Sequence, residues 1–252
     1  MDKGYYIEYY TLEREHWWFR VREEIIMDKV KLFLSQRDDP SEPIKILNVG
    51  VASGRSSEAL GAVGSVASIE YDKDCCEFTR EKTGLEIING SILELPFEDN
   101  SFDMVCSFDV VEHVEDNRLA ISELKRVCKK DGVVFITVPA LMILWSHHDE
   151  VNHHFHRYTI SELDKLFETP KNKILCRTYF NSLLFPLIFL VRILSRAFPS
   201  LFGRSDSGSD FTLLDQDSLV NKISYAIFSF ERRLLRFMNF PIGVSIMYAI
   251  KK

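Results

Sequence analysis

The feature that most constrains this chain is an apolar run breaking into glycines, Ile46-Leu-Asn-Val-Gly50-Val-Ala-Ser-Gly54, followed at the end of the next apolar run by the acidic Glu70. Ile46, Leu47 and Val49 read as a buried strand. The glycines read as a sharp turn that lets the backbone approach a ligand, and the segment from Ser56 to Val63 as a helix. Ser65 to Ile69 then reads as a second strand, which delivers Glu70 to its carboxyl end. A carboxylate there can accept hydrogen bonds from both hydroxyls of a ribose. The pattern predicts a nucleoside site at the ends of adjacent parallel strands.

Glycine spacing narrows the ligand. A dinucleotide loop needs G-x-G-x-x-G so that the backbone can reach a pyrophosphate; that register reads Gly50, Ala52, Arg55 and fails at two of its three positions. Read as acidic-x-G-x-G-x-G, the segment matches at Gly50 and Gly54 and departs at Asn48 and Ala52. S-adenosylmethionine carries no phosphate, so neither a methyl group at Ala52 nor the missing phosphate-gripping lysine counts against it. The lack of a G-K-[ST] loop excludes a P-loop nucleotidase.

The chain has 252 residues, of which 46% are hydrophobic and 27% charged, enough for a full globular core. The formal net charge of −6 argues against a sequence-independent grip on nucleic acid, which needs clustered Lys and Arg. Five cysteines without a C-x-x-C pair suggest neither a disulfide framework nor a zinc ribbon, and the adjacent Cys75 and Cys76 read as helix residues. The first residues show no apolar signal region, so a cytoplasmic location is expected.

Residues 1–43 read as a helical, aromatic arm ending in a polar, proline-flanked loop at 35–43. Strands are expected at Lys45 to Val49, Ser65 to Glu70, Glu86 to Ile88, Phe102 to Ser107, Gly132 to Val138, Lys173 to Tyr179 and Gly243 to Ile250. Helical patterns alternate with the earlier ones, which predicts an α/β fold with a mostly parallel sheet covered on both faces. Asp116 is expected to cap a helix carrying Ile121, Leu124 and Val127 on one face, with Gly132 beyond its end. The apolar stretch Leu183 to Leu194 is interrupted by Pro186 and Arg192 and is too short to span a bilayer. A Ser/Gly/Asp loop at 203–210 and an amphipathic segment at 215–238 follow.

Four motifs, in order, resemble the class I S-adenosylmethionine-dependent methyltransferases: Asn48-Val-Gly50-Val-Ala-Ser-Gly54, Ser68-Ile-Glu70-Tyr-Asp72, Asn89-Gly-Ser91-Ile-Leu-Glu-Leu-Pro96-Phe97, and Ser101-Phe-Asp103-Met-Val-Cys-Ser107-Phe-Asp109-Val-Val-Glu112-His113-Val. The resemblance runs from Ile44 to Phe167. It implies a Rossmann-like seven-stranded sheet with S-adenosyl-L-methionine as cofactor. Asn48, Gly50, Ala52 and Gly54 would line its methionine part, Glu70 with Tyr71 its ribose, and Ser91 with Ile92 its adenine. Ser107 and Phe108, at the end of the fourth strand, complete the expected cofactor site. Ser91 stands where an aspartate is usual and Asn48 where an acid is usual. The segments Glu15-His-Trp17-Trp18-Phe-Arg20-Val-Arg22 and His154-Phe-His156-Arg157-Tyr158-Thr159 resemble a branch associated with polysaccharide or cell-surface biosynthesis. That branch implies an N-terminal lid bringing Trp18 or Arg22 near the cofactor carboxylate, a helical insertion at 181–240, and a last strand that pairs antiparallel.

Methyl transfer from a sulfonium is an in-line displacement that needs alignment and, for a protonated nucleophile, a base. His113 is one candidate base, or a packing residue beneath the cofactor. His154 or His156 is another, with Arg157 holding an anionic group of the acceptor, unless Arg157 and Tyr158 merely stack on the arm. Asp109, Trp145, Arg157 and Tyr158 are the expected acceptor contacts. Five of the seven histidines lie between His147 and His156. They lack cysteine pairs or H-E-x-x-H, and no metal is expected. The acceptor is read as a small molecule or a lipid- or glycan-linked intermediate, methylated at oxygen. Carbon methylation of a quinone-like ring and cofactor binding without catalysis stay open. The apolar repeat Leu183, Leu184, Leu187, Ile188, Val191, Leu194, with Arg192 and Arg196 toward anionic headgroups, suggests a peripheral membrane contact or a homodimer surface.

Overall fold

The computed structural model describes residues 3–36, 43–197 and 218–252. Most of the loop expected at 35–43 and all of that at 203–210 lie outside these residues. In chain order the elements are α1 (Lys3–Glu15), α2 (Trp17–Leu34), β1 (Lys45–Val49), α3 (Arg55–Gly61), β2 (Ser65–Glu70), α4 (Lys73–Thr83), β3 (Ile87–Asn89), β4 (Phe102–Phe108), α5 (Asn117–Val127), β5 (Cys128–Pro139), α6 (His147–Val151), α7 (Ile160–Phe167), β6 (Ile174–Phe180), α8 (Phe185–Ala197), α9 (Leu219–Leu234) and β7 (Ser245–Lys251). The strands form one seven-stranded sheet in the order β3-β2-β1-β4-β5-β7-β6. β1 through β5 pair in parallel, and β7 inserts antiparallel between β5 and β6.

Covering both faces explains why β1, β4 and β7 are apolar almost throughout. One face packs Leu47, Val105, Ile136 and Tyr248 against Ile121, Leu124, Leu163 and Phe167 of α5 and α7. The other packs Ile46, Met104, Phe135 and Met247 against Ile25, Val30, Phe33 and Phe228 of α2 and α9. The strand order runs outward in opposite directions from β1 and β4, and the crevice at their carboxyl ends is where open sheets of this kind bind ligands.

Asp116 caps α5 as expected, accepting from the Leu119 amide at 2.9 Å. The expected gap before Gly132 is instead strand: β5 starts at Cys128, directly after the helix. The register slips between Phe102↔Cys128 and Met104↔Val133. This bulge absorbs the extra polar residues Lys129 to Asp131, with Asp131 at φ +63°.

The segment between β6 and β7 carries α8 and α9. Trp17 Nε1 donates to Asn221 Oδ1 at 3.0 Å, and Arg232 Nε pairs with Asp28 Oδ2 at 2.9 Å, so α9 is fastened to the N-terminal arm. Leu184 is buried, while Leu187, Leu190, Val191 and Ile193 are exposed. Of the two cationic side chains expected to face headgroups, Arg192 is part-buried and Arg196 stays exposed, and both bond to the protein backbone. Arg192 Nη1 donates to the Leu144 carbonyl and lies 3.7 Å from Asp149, and Arg196 Nη2 donates to the Ile143 carbonyl at 2.9 Å. Backbone carbonyls and a buried carboxylate offer them fixed partners that solvent does not. Among the described residues no helix is long and apolar enough to cross a membrane.

Candidate cofactor cradle and acceptor mouth

The turn after β1 is built by conformations that side chains resist. Gly50 sits at φ +75°, and a Cβ there would lie 2.2 Å from Val110 Cγ2. Gly54, at φ +84°, caps the start of α3, and its Cβ would meet Thr79 Cγ2 at 2.8 Å. Ala52 adopts φ +43° even though it carries a methyl group. Its amide donates to Glu70 Oε2 at 3.0 Å, and its carbonyl accepts from Thr79 Oγ1 at 2.7 Å. Glu70 Oε1 accepts from the Asp72 amide at 3.1 Å, so this carboxylate joins the glycine turn to the end of β2. Gly50→Ala is expected to lower stability by about 2–4 kcal/mol, since left-handed strain and overlap with Val110 add. Denaturant unfolding within about 0.5 kcal/mol of wild type would show that Val110 simply yields.

The N-terminal arm lies across this turn. Ser53 Oγ donates to Glu13 Oε2, Arg14 Nη1 donates to Ser53 Oγ at 3.0 Å, and Arg14 pairs with Glu58 at 2.9 Å. Tyr6 Oη donates to Asp72 Oδ2 at 2.8 Å at the start of α4. From α2, Arg22 reaches Asp109 Oδ2 at 2.6 Å and Thr137 Oγ1 at 3.1 Å. Glu13, Arg22, Arg55, Ser56 and Phe108 line one cavity, which sets an acid and a base beside the glycine turn. Burial pushes the Glu13 carboxyl up, against the opposing pull of Ser53, Arg22 and Arg14. Burial would weaken the Arg22 proton, but Asp109 outweighs it and holds the guanidinium charged.

The remaining expected cofactor residues divide. Phe108 is in the cavity, edge-on to Phe135 at 5.4 Å. Trp18 stacks on Phe228 and stands 5.8 Å from the Arg22 guanidinium carbon, so it supports Arg22 from the side. Ser91 Oγ accepts from the Leu93 amide at 3.1 Å and shapes the turn after β3. Tyr71 is 78% exposed. Ile92 is part of the core, and Ser107 is wholly buried, because both belong to segments sandwiched between sheet and helices. Asn48 is buried under α3, with Nδ2 donating to Ser56 Oγ at 2.8 Å and to Ser57 Oγ at 2.9 Å. A neutral amide suits that position, since an acid could not donate to the two hydroxyls; its Oδ1 has no hydrogen-bond partner among the described residues.

Beyond β4 lies a second group. A short 3-10 turn, Val111–His113, brings Glu112 and His113 against the loop after α6, where the Phe155 amide donates to the Glu112 carbonyl at 2.7 Å. The rings of His113 and His154 meet edge to face at 4.5 Å. His154 Nδ1 is 2.8 Å from Asp149 Oδ1, and Asp149, fully buried, also accepts from Arg157 Nε at 2.7 Å. Burial opposes ionisation of Asp149, but His154 and then Arg157 hold its carboxyl well below the usual range. His113 is an exposed residue, yet desolvation of its ring and then His154 push the imidazole down, which favours its neutral form at pH 7. Burial, and next Asp109, hold Glu112 well above the usual carboxylate range.

Three expectations for this region need correction. Arg157 is 3% exposed and neutralises Asp149, so it has no free face for an anionic acceptor. Tyr158 is a core residue whose hydroxyl accepts from Asn117 Nδ2 at 3.2 Å. His156 does not join the other two histidines; its Nε2 faces Glu162 at 3.2 Å and its ring lies against Tyr158. Asp109, at φ +58°, is held by Arg22 and Thr137. Trp145 is half-buried beside α6. Glu13, Glu112 and Asp149 were not singled out from the sequence. Glu112 lies inside the fourth motif and Asp149 inside the histidine-rich stretch, but nothing local marks either as buried.

The methyltransferase domain family matches residues 47–136, from β1 into β5. Over those residues the chain carries a methyltransferase domain, and its motifs are similar to those of the class I S-adenosylmethionine-dependent enzymes. S-adenosylmethionine is the cofactor of that family. The chain is 28% identical over 162 residues to "Probable S-adenosylmethionine-dependent methyltransferase" of Mycolicibacterium smegmatis, covering 63% of this chain and 60% of that one. It is 38% identical over 82 residues to demethylmenaquinone methyltransferase of Staphylococcus aureus, covering 31% of this chain and 34% of that one. It thus spans less than two thirds of the length of these curated relatives. Among solved structures it resembles YcgJ protein from Bacillus subtilis, with a TM-score of 0.54 at 16% identity over 90% of this chain and 99% of that one, a likeness of fold.

Proposed function

We propose that the protein transfers the methyl group of S-adenosylmethionine to a hydroxyl oxygen of a small-molecule, glycan-linked or lipid-linked acceptor. The observation that carries this reading is the His113 and His154 pair at the mouth beyond β4, with His154 oriented by the buried Asp149. A hydroxyl needs to lose its proton as it attacks. The C–S bond breaks as the O–C bond forms, S-adenosylhomocysteine leaves with the electron pair, and the proton passes to this group of side chains. Carbon acceptors of the activated-ring kind have no hydroxyl proton on the attacking atom.

The cofactor's methionine end is proposed to lie along Gly50, Ala52 and Gly54, with Arg22 taking its carboxylate and Glu13 its ammonium group. Glu70 is proposed to hold the ribose. Glu70→Ala should then weaken binding of S-adenosylhomocysteine by about 1–3 kcal/mol through loss of a charge-assisted contact. Calorimetric titration giving wild-type affinity would remove Glu70 from this role. A lipid- or glycan-linked acceptor is supported by the exposed apolar side chains of α8 and α9, among them Leu187, Leu190, Ile223 and Phe230.

Supplying labelled S-adenosylmethionine with a panel of hydroxylated glycans, glycolipids and quinols tests the proposal, with the bond formed read by mass spectrometry and NMR. A methyl ether is the expected product. A C-methyl product would favour the ring-carbon reading, to which the similarity with demethylmenaquinone methyltransferase lends support. No S-adenosylhomocysteine with any acceptor would count against both.

A further inference from the structure

Glu112 is 1% exposed, and neither of its carboxylate oxygens has a hydrogen-bond partner among the described residues. A buried carboxyl without a hydrogen-bond partner is costly even when protonated, so such a group calls for a cation or a donor. The neighbouring basic side chains do not supply one. Arg22 spends Nη2 on Asp109 and Thr137 and makes no hydrogen bond to Glu112, and Arg157 is engaged by Asp149. What faces Glu112 is a pair of imidazoles: one ligand atom each from Glu112, His113 and His154 lie within 4.8 Å of one another. Two ligands about 2.1 Å from a shared ion are at most about 4.2 Å apart, so side-chain shifts on the order of an ångström would close the set.

The second shell is also in place. Metal-bound histidines donate their other ring nitrogen to a carboxylate or a backbone carbonyl, which fixes the tautomer. His154 does this with Nδ1 toward Asp149, which leaves Nε2 free. His113 packs edge-on against His154 at 4.5 Å between ring centroids. Two histidines and one glutamate, with His154 already oriented by Asp149, make a three-ligand set with an open position.

We propose that Glu112, His113 and His154 bind one divalent transition-metal ion of the zinc class, with a vacant coordination position toward the acceptor mouth. This revises the expectation of no metal drawn from the lack of H-E-x-x-H: the ligands come from a 3-10 turn and a distant loop, so no contiguous motif announces them. The binding stands on geometry alone. Its role rests on the oxygen-methylation reading: an acceptor hydroxyl on the open position would have its pKa lowered, and the ion would orient it for in-line attack.

The test reads metal binding without turnover. The purified chain, stripped with chelator and dialysed, is titrated with Zn²⁺ by calorimetry and with Co²⁺ by visible absorption. The expected result is one ion per chain, with affinity reduced at least about 100-fold in both Glu112→Gln and His154→Ala. His156→Ala, a variant outside the set, should bind as wild type. Glu112→Gln keeps the shape of the side chain, and circular dichroism checks that each variant is folded. The proposal is overturned by no stoichiometric binding, by unchanged affinity in Glu112→Gln and His154→Ala, or by affinity that depends on His156 instead. Because no methyl acceptor enters the assay, its failure is separate from failure of the methyl-transfer reading.

Discussion

Replacing Asp149 by alanine is expected to lower folding stability by about 3–5 kcal/mol at neutral pH, the largest structural effect of any single substitution in the mouth. The carboxylate is fully buried and takes Arg157 at 2.7 Å and His154 at 2.8 Å, with Arg192 at 3.7 Å. Deleting it leaves the Arg157 guanidinium charged, 3% exposed and without a counter-charge. The pH dependence has a definite sign. The folded-state pKa of Asp149 is depressed, so its contribution is fully present above the unfolded value of about 3.9 and is lost as pH falls below it. Urea unfolding should show a constant gap between wild type and variant from about pH 5 to 8, narrowing below about pH 4. Asp149→Ala/Arg157→Met should recover part of the loss, because it removes the stranded charge as well. A single variant as stable as wild type at pH 7, or a gap that widens in acid, would show that the pair does not anchor this loop.

The cradle was more legible in the sequence than the mouth, for a physical reason. Gly50, Gly54 and Glu70 act through backbone conformation and strand ends, which are local properties: a positive φ demands glycine, and a carboxylate closing an apolar strand has one place to be. The strands themselves were readable from apolar runs to within a few residues, except where a bulge extended β5 back to Cys128. The mouth is assembled from residues far apart in sequence, so spacing says little about it. His154, Arg157 and Tyr158 share one segment, yet only His154 points into the site. Arg157 is consumed by Asp149 and Tyr158 by the core. The same limit hid Glu13, whose meaning comes from Ser53 and Arg22 on other elements, and Glu112, whose isolation shows only when its surroundings are known. Arg192 and Arg196 read as surface cations on an apolar helix. The structure uses them to tie α8 to the loop before α6.

On the proposed reading His154→Ala is expected to lower turnover by roughly 10²- to 10⁴-fold while affinity for S-adenosylhomocysteine stays near wild type, because the side chain contacts Asp149 and His113 and none of the glycine-turn residues. His113→Ala should act in the same direction. The two effects should combine less than additively, since the rings touch at 4.5 Å and serve one proton. The pH profile adds an independent check. His113 is pushed down to about 4, so the neutral ring needed for proton transfer or for metal binding persists to well below the usual histidine range. An acidic limb due to His113 should therefore fall near about 4 and be absent from the His113→Ala profile. Turnover within about threefold of wild type in both variants would place proton removal outside this group and leave the histidines as scaffold. A large loss in both with unchanged metal content would instead make the imidazoles themselves the proton acceptors. Loss of activity and metal together in His154→Ala, with Glu112→Gln behaving alike, would mean that the proton is released through an ion-bound hydroxyl. Glu112 decides between these routes, since it can hold an ion but, buried and neutral, is no substitute for a histidine base.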